Sequence, residues 1–220
     1  MFINPKTNPV DRTSLSVAFT VGLYGAAFGA AGVTAGFSIL QTCLLSLLLF
    51  SGASQFAVVG IMGAGGSAIS AIATATLLGF RNSLYGIQMA PILKVFGIKR
   101  ILSAQITIDE STAVATMQEN DSDRRRGFYV TGIGVYVFWN LFTYLGALGA
   151  SAIGDPAAWG LDAAVPAAFC GLVWPRIKKK REFLITAAAI ALALLLTPIA
   201  PAGVPIITTV ILAVIFGWKK

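Results

Sequence analysis

Residues 13–80 contain no charged side chain, which gives an uninterrupted run of 68 residues between Arg12 and Arg81. A helix needs roughly 20 apolar residues to cross the hydrocarbon core of a bilayer, so this run is long enough for two or three crossings. The whole chain is 56% hydrophobic and 11% charged, with a mean hydropathy of +0.80. Soluble domains carry about 25% charged residues. We therefore predict an all-α integral membrane protein.

The net charge of +7 does not indicate nucleic-acid binding. The basic residues form short clusters between apolar stretches, as loop charges do in membrane proteins. The sequence has no groove-reading motif, and aromatic residues are not interleaved with the basic clusters. We therefore expect a lipid bilayer, rather than a nucleic acid, around this chain.

Several kinds of chemistry lack the residues they need. The chain has no histidine, and its two cysteines, Cys43 and Cys170, lie apart in apolar segments. This pattern predicts neither a metal site nor a nucleophile–base pair. The glycine-rich stretch 63–67 lacks the Gly-Lys-Ser/Thr ending of a phosphate-binding loop. We expect no enzyme activity and no cofactor.

The hydrophobic pattern predicts a polytopic bundle of seven to eight segments, some broken or re-entrant, in a single transmembrane domain 1–220 with a polar N-terminal tail 1–12. Segment 68–93 is expected to be broken or kinked near Arg81, because Gly79, Asn82, Gly86 and Pro91 flank it. Segment 101–118 is a crossing, a re-entrant segment or a surface amphipathic helix. The segments are 13–35, 38–62, 68–93, 101–118, 127–152, 163–175, 183–196 and 205–218.

Loop charges constrain the topology without fixing it. Five positive charges in 176–181 and the C-terminal lysines predict a cytoplasmic C-terminus, with the acidic loop 153–162 outside. Eight crossings place the N-terminus inside but leave the basic loop 94–100 outside. Seven crossings place the N-terminus on the other side of the membrane. Charge alone leaves both possibilities open.

Five glycines repeat along the first segment at intervals of 3, 4, 3 and 4 residues. This spacing puts them on one helical face, where small residues allow another helix to approach closely. The pattern favours a packing seam over a solute path, and the seam serves either a small partner subunit or the interior of the bundle. The five are Gly22, Gly25, Gly29, Gly32 and Gly36. A weak similarity between the stretches that begin at Gly36 and Gly160 is the one sign of an internal repeat.

Three polar residues lie inside apolar segments. Gln55 needs hydrogen-bond partners, because an unpaired amide in hydrocarbon costs several kcal/mol, roughly. Arg81 lies at the centre of segment 68–93, and a central arginine faces the bundle interior or water. Asp109 falls on an apolar stripe and needs a cation, a proton or water. Arg81 and Asp109 either form a solute site or pair with each other to fasten the bundle.

Two of these regions resemble the AzlC-type large subunit of bacterial branched-chain amino-acid exporters. The stretch Phe50-Ser51-Gly52-Ala53-Ser54-Gln55-Phe56 matches the family's "FSGASQF" pattern without a departure. The stretch 79–86 resembles "NxRHxLYG" and keeps Arg81, Leu84, Tyr85 and Gly86, with Gly79 and Asn82 in place of the asparagine and histidine. Asp109 and Glu110 match a "TDE" stretch, with Ile108 at the threonine position.

The resemblance implies a secondary transporter that exports branched-chain amino acids, and in some members methionine, across the bacterial cytoplasmic membrane. It also implies a small AzlD-type membrane subunit, and a homo-oligomer is possible. Arg81 is expected to contact the solute carboxylate, while Asp109 or Glu110 contacts the ammonium group or carries a proton. The predicted substrate-binding residues are Ser51, Ser54, Gln55, Arg81, Asn82 and Tyr85, and the predicted charge-coupling residues are Asp109 and Glu110. A channel, a carrier for another solute or a non-transporting subunit are the alternatives.

Overall fold

The computed structural model describes residues 8–153, 167, 170, 171, 173, 174 and 177–218, which form nine α-helices and no strand. The predicted acidic loop, most of segment 163–175, Gly160, residues 1–7 of the tail and the terminal lysines lie outside these residues. The helices are α1 Pro9–Thr34, α2 Ile39–Leu48, α3 Gly52–Gly63, α4 Ala68–Leu93, α5 Ile98–Gln105, α6 Asp109–Thr116, α7 Asp121–Ala152, α8 Lys180–Leu196 and α9 Val204–Trp218.

The fold class is confirmed as all-helical within the described residues. By length and composition, α1 and α7 are the two described helices that meet the requirements for a membrane crossing. The number of seven to eight crossings stays a prediction. The first helix begins at Pro9, four residues before the predicted start, because the Asn8 side chain caps it by accepting a hydrogen bond from Val10 N at 3.0 Å.

Helices α1 and α7 pack side by side and run in the same direction. Contacts advance together along both helices, from Val10 against Gly127, through Ala18 against Gly134, to Gly29 against the Thr143 carbonyl. The glycine stripe is thus an internal seam. Gly22, Gly25 and Gly29 face α7, and Gly32 faces Thr42 of α2. These glycines therefore do not form a docking face for another subunit, because a β-carbon at any of the four would collide with these helices.

Segment 38–62 is broken into a hairpin of two short helices, α2 and α3. The capping box of Ser38 and Gln41 starts α2 just after α1 ends. At the far end of α3, Gly63 packs against Ala35, where an added β-carbon would lie 2.8 Å from Ala35 Cβ. Both outer ends of the hairpin therefore lie at one end of the bundle. The turn at 49–51 lies in the bundle interior, where Phe50 and Ser51 are buried.

Segment 101–118 is also a hairpin and not the single helix assumed for the surface and crossing alternatives. It is formed by α5, which begins three residues earlier at Ile98, and by α6, with a buried turn at Ile106, Thr107 and Ile108. The start of α5 follows the end of α4 by four residues. The end of α6 lies near the end of α4, because the start of α7 binds both. Arg124 Nε donates to the Gln118 carbonyl after α6 at 2.9 Å, and Arg125 Nε donates to the Ile92 carbonyl of α4 at 2.8 Å.

Helix α4 runs unbroken over the predicted residues 68–93, so the expected break at Arg81 is wrong. Pro91 falls in the last turn of α4, ten residues beyond Arg81, so the one backbone hydrogen bond that it lacks lies away from the predicted break. Helix α7 begins at Asp121, six residues before the predicted segment 127–152. Asn120 explains this start, because its side chain accepts a hydrogen bond from Asp123 N at 2.8 Å.

The two ends of the bundle differ in charge. We call one the charged end; it contains the start of α1, residues 94–100 and residues 118–126. There Arg126 binds Asp11 of α1 through two contacts of 2.6 Å. The uncharged end contains the turns 35–38, 64–67 and 197–203, none of which holds a charged residue. The α8–α9 turn belongs to it because an added β-carbon on Gly203 would lie 2.9 Å from Ser70 Cβ.

Candidate functional site

A cavity of about 280 Å³ lies where the turns of the two hairpins meet α1, α4 and α7. Pockets for drug-sized ligands occupy roughly 300–1,000 Å³, so this one suits a small solute. Its polar rim comes from α3, α4 and α6, and its apolar wall from α1, α3, α4, α7, the two turns and Val173. The lining includes Val21, Tyr24, Phe50, Ser51, Gly52, Ala53, Phe56, Leu78, Arg81, Asn82, Ile108, Asp109, Glu110, Val135 and Trp139.

An ion pair connects α4 to the first residue of α6 at this cavity. Arg81 Nη1 donates to Asp109 Oδ2 at 2.8 Å, and the two side chains are 33% and 23% exposed. The pairing that the sequence offered as one alternative is thus observed. Both residues also line the cavity, so the pair leaves a cation and a carboxylate at the wall. Arg81 Nε is buried and makes no hydrogen bond within the described residues.

Two helices begin at the cavity. Ser51, Gly52 and Ala53 open α3, and Ser51 gives this helix no side-chain cap. Its hydroxyl instead lies 3.2 Å from the hydroxyl of Ser54. The positive end of the α3 dipole therefore lies at the cavity wall, where negative charge is favoured. At the start of α6 the protein itself supplies that negative charge, through Asp109 and Glu110.

Gln55 does not line the cavity, although the sequence placed it in the solute site. The residue is fully buried, and its Nε2 donates to the carbonyls of Leu49 at 3.0 Å and Ser46 at 3.3 Å. Its Oε1 accepts a hydrogen bond from Trp139 Nε1 at 3.0 Å. The amide thereby satisfies carbonyls that the end of α2 leaves free. The backbone is non-helical at residues 49–51, between α2 and α3.

The other predicted residues fall at different distances from the cavity. Asn82 lines it, with a buried Oδ1 that makes no hydrogen bond within the described residues, and Glu110 lines it beside Asp109. Ser54 lies behind the wall and donates to the Ala75 carbonyl of α4 at 2.9 Å. Tyr85 lies one helical turn beyond Arg81 and is not part of the lining. The structure thus brings together Ser51, Arg81, Asn82, Asp109 and Glu110.

The apolar wall was not located by sequence reasoning. Val21 of α1, Val135 and Trp139 of α7, and Phe56 of α3 contribute to it. The Trp139 ring packs over the first residue of α3, and an added β-carbon on Gly52 would lie 3.1 Å from its Cη2. Phe56 ends the Phe50–Phe56 motif, but Val21, Val135 and Trp139 carry no local motif. They meet only because α1 and α7 pack in parallel, which no spacing within either segment reveals.

Comparison with known proteins shows the family of this chain. Residues 16–153 match the family model described as AzlC protein. An uncharacterized membrane protein of Archaeoglobus fulgidus is 31% identical over 199 residues, which cover 89% of this chain and 84% of the relative. Inner membrane protein YgaZ of Escherichia coli is 29% identical over 194 residues, which cover 83% of this chain and 75% of YgaZ. No solved structure matches. The chain therefore belongs to the AzlC family of membrane proteins.

Proposed function

We propose that this chain is a multi-pass secondary transporter that exports branched-chain amino acids across the cytoplasmic membrane, together with a small AzlD-type membrane subunit. Methionine is a further candidate solute. Membership of the AzlC family and the membrane location of its relatives support a transport role. The substrate class rests on the resemblance of the motifs and on the chemistry of the cavity.

The cavity supports an amino-acid solute because it combines three kinds of contact in one small volume. Arg81 and the start of α3 favour a carboxylate, and Asp109 with Glu110 favours an ammonium group. The wall formed by Val21, Phe56, Val135 and Trp139, among other apolar residues, suits an aliphatic side chain. The 2.8 Å contact between Arg81 and Asp109 carries this proposal. A zwitterion would replace that contact with one bond to each residue.

Asp109 or Glu110 is the proposed site of coupling to a proton gradient or to the membrane potential. Both carboxylates line the cavity that would hold the solute.

Efflux from cells tests the transport function directly. A strain that lacks its own branched-chain exporters is loaded with the dipeptide Ala-Leu, and leucine release is followed with this chain alone, with a candidate small subunit alone and with both. Arg81→Ala is the site variant. Arg100→Ala is the matched control, because Arg100 is an exposed arginine of α5 at the charged end.

The proposal expects leucine release from cells that hold both chains, and loss of that release in Arg81→Ala but not in Arg100→Ala. Isoleucine and valine loading extend the test to the substrate class. Unchanged release in Arg81→Ala would remove Arg81 from the site. Absence of release with both proteins verified in the membrane would overturn the substrate proposal and favour another solute or a non-transporting subunit. Release that rises linearly with solute concentration, without saturation, would favour a channel.

A further inference from the structure

We propose that α2–α3 and α5–α6 are re-entrant hairpins that enter the bilayer from opposite faces. The α2–α3 hairpin would close the cavity toward the outer face, and the α5–α6 hairpin toward the cytoplasm. The role as closures rests on the transport function proposed above. The arrangement of the hairpins in the membrane does not rest on that function, and it can be tested without any solute.

The lengths of the helices show that neither hairpin arm can cross a bilayer. Helices α2 and α3 have 10 and 12 residues, and α5 and α6 have 8 each. At 1.5 Å per residue the longest arm extends about 18 Å, whereas the hydrocarbon core is about 30 Å thick. In contrast, α1, α4 and α7 have 26, 26 and 32 residues and connect the two ends of the bundle.

Contacts at the ends of the arms place each hairpin at one side. The α2–α3 hairpin starts and finishes at the uncharged end, where Gly63 packs against Ala35. The α5–α6 hairpin starts and finishes at the charged end, where Arg124 binds the Gln118 carbonyl. Residues 39–93 and 98–152 therefore form two units of equal length, each a hairpin followed by a long helix, with opposite directions through the bundle.

The turns of the two hairpins meet each other in the bundle interior. Gln105 Nε2, at the end of α5, donates to the Leu47 carbonyl of α2 at 3.0 Å, and Tyr136 Oη donates to the same carbonyl at 3.2 Å. Non-helical backbone is tolerated at membrane depth only where protein or water satisfies its polar groups. Gln55, Gln105 and Tyr136 donate hydrogen bonds to the carbonyls at the end of α2 and so satisfy them.

The distribution of basic residues assigns the two faces. In residues 8–153, seven of the eight basic residues lie at the charged end, and Arg81 lies between the ends. Cytoplasmic segments of membrane proteins are enriched in lysine and arginine. The charged end is therefore cytoplasmic, which resolves the conflict between the N-terminus and the loop 94–100. The seven are Arg12, Lys94, Lys99, Arg100, Arg124, Arg125 and Arg126.

Each hairpin is attached to α4 near the cavity by polar contacts. The Arg81–Asp109 pair holds the turn of α5–α6 against α4, and the bond from Ser54 to the Ala75 carbonyl holds α3 there. A solute that binds Arg81 competes directly with Asp109 for the guanidinium group. Solute binding would thus loosen the α5–α6 hairpin, whereas Arg81 makes no such pair with the α2–α3 hairpin.

Cysteine labelling tests the arrangement. In a background with Cys43→Ala and Cys170→Ala, single cysteines are introduced by Ser38→Cys and Ala64→Cys at the ends of α2–α3, and by Phe96→Cys and Glu119→Cys at the ends of α5–α6. All four positions are exposed. A membrane-impermeant thiol reagent is applied to right-side-out and to inverted vesicles that contain the full chain.

The proposal expects residues 38 and 64 to react only in right-side-out vesicles, and residues 96 and 119 only in inverted vesicles. Reaction of 38 and 64 from opposite faces would show that α2–α3 crosses the membrane and would overturn the proposal. Reaction of 96 and 119 from opposite faces would show that α5–α6 crosses the membrane and would likewise overturn the proposal. The reverse pattern for both pairs would overturn the assignment of faces. None of these results depends on transport, so failure of the transport proposal remains distinguishable.

A reversible cross-link tests the closures. The double variant Leu48→Cys/Gln105→Cys, in the same background, is bridged by a short bifunctional methanethiosulfonate and later reduced. We expect the cross-link to lower leucine efflux at least tenfold relative to the untreated variant. Chemical reduction of the cross-link should restore efflux. The two single cysteine variants serve as controls for modification alone. Undiminished efflux through verified cross-linked protein would show that the hairpin turns need not separate.

Discussion

Trp139 Nε1 donates a hydrogen bond of 3.0 Å to Gln55 Oε1, and this bond connects α7 to α3 near the turn between α2 and α3. Gln55 uses its other polar atom to hold the carbonyls of Ser46 and Leu49. One amide thus supports a break in a helix that apolar composition alone would favour as continuous. Trp139 contributes to the cavity wall through its ring and to the fold through its N–H group.

We expect Trp139→Phe to destabilise the protein by about 1–3 kcal/mol, because it leaves the buried Oε1 of Gln55 without its donor. Thermal unfolding of the purified protein in detergent measures the effect. Trp174→Phe is the matched control, since Trp174 is 79% exposed. Equal unfolding temperatures for the two variants would show that the bond to Gln55 contributes nothing to stability.

A charge exchange separates the two roles of the Arg81–Asp109 pair. Each single variant, Arg81→Asp and Asp109→Arg, places like charges side by side and should lower both the unfolding temperature and transport. The double variant restores an ion pair, so we expect its stability to recover. Transport should not recover, because the carboxylate and ammonium subsites are exchanged relative to the apolar wall and the dipole of α3. Recovery of both stability and transport would show that the pair only stabilises the packing of α4 against α6.

Gly29→Ala should disrupt the seam between α1 and α7. The added methyl group would collide with the Thr143 carbonyl, which is backbone and cannot rotate away. Overpacking of this kind costs about 1–3 kcal/mol, and occasionally more. Unfolding in detergent checks this against Gly149→Ala on α7, where an added β-carbon meets nothing within 4 Å. The control should gain about 0.5–1 kcal/mol from helix propensity.

Val135→Phe should narrow the cavity and change its solute preference. Val135 is buried in the wall, so a larger ring occupies space that the solute side chain would use. We expect leucine and isoleucine efflux to fall more than valine efflux. Val137→Phe is the control, because Val137 is 54% exposed on the opposite side of α7. An equal loss for all three amino acids would place the solute side chain elsewhere.

Local sequence features predicted the helices whose stability depends on composition and capping. Helix α4 was placed correctly at 68–93 because Ser67 caps it and its apolar residues continue to Leu93. Arg81 and Asp109 were identified as charges that need partners, with pairing to each other as one of two alternatives, because charges in apolar segments face other charges or water. The glycine stripe was identified as a packing face, but its partner was not, because α7 lies about 110 residues further along the chain.

The sequence by itself determined that this protein is helical and resides in a membrane, since a chain with so little charge has no other way to cover its apolar surface. Only the tertiary structure decided where segments 38–62 and 101–118 break. A helix ends inside an apolar environment when distant side chains satisfy its free carbonyls, and Gln105 and Tyr136 reach the carbonyl of Leu47 from 58 and 89 residues away. The cavity exists at those breaks, so its location was likewise settled by packing.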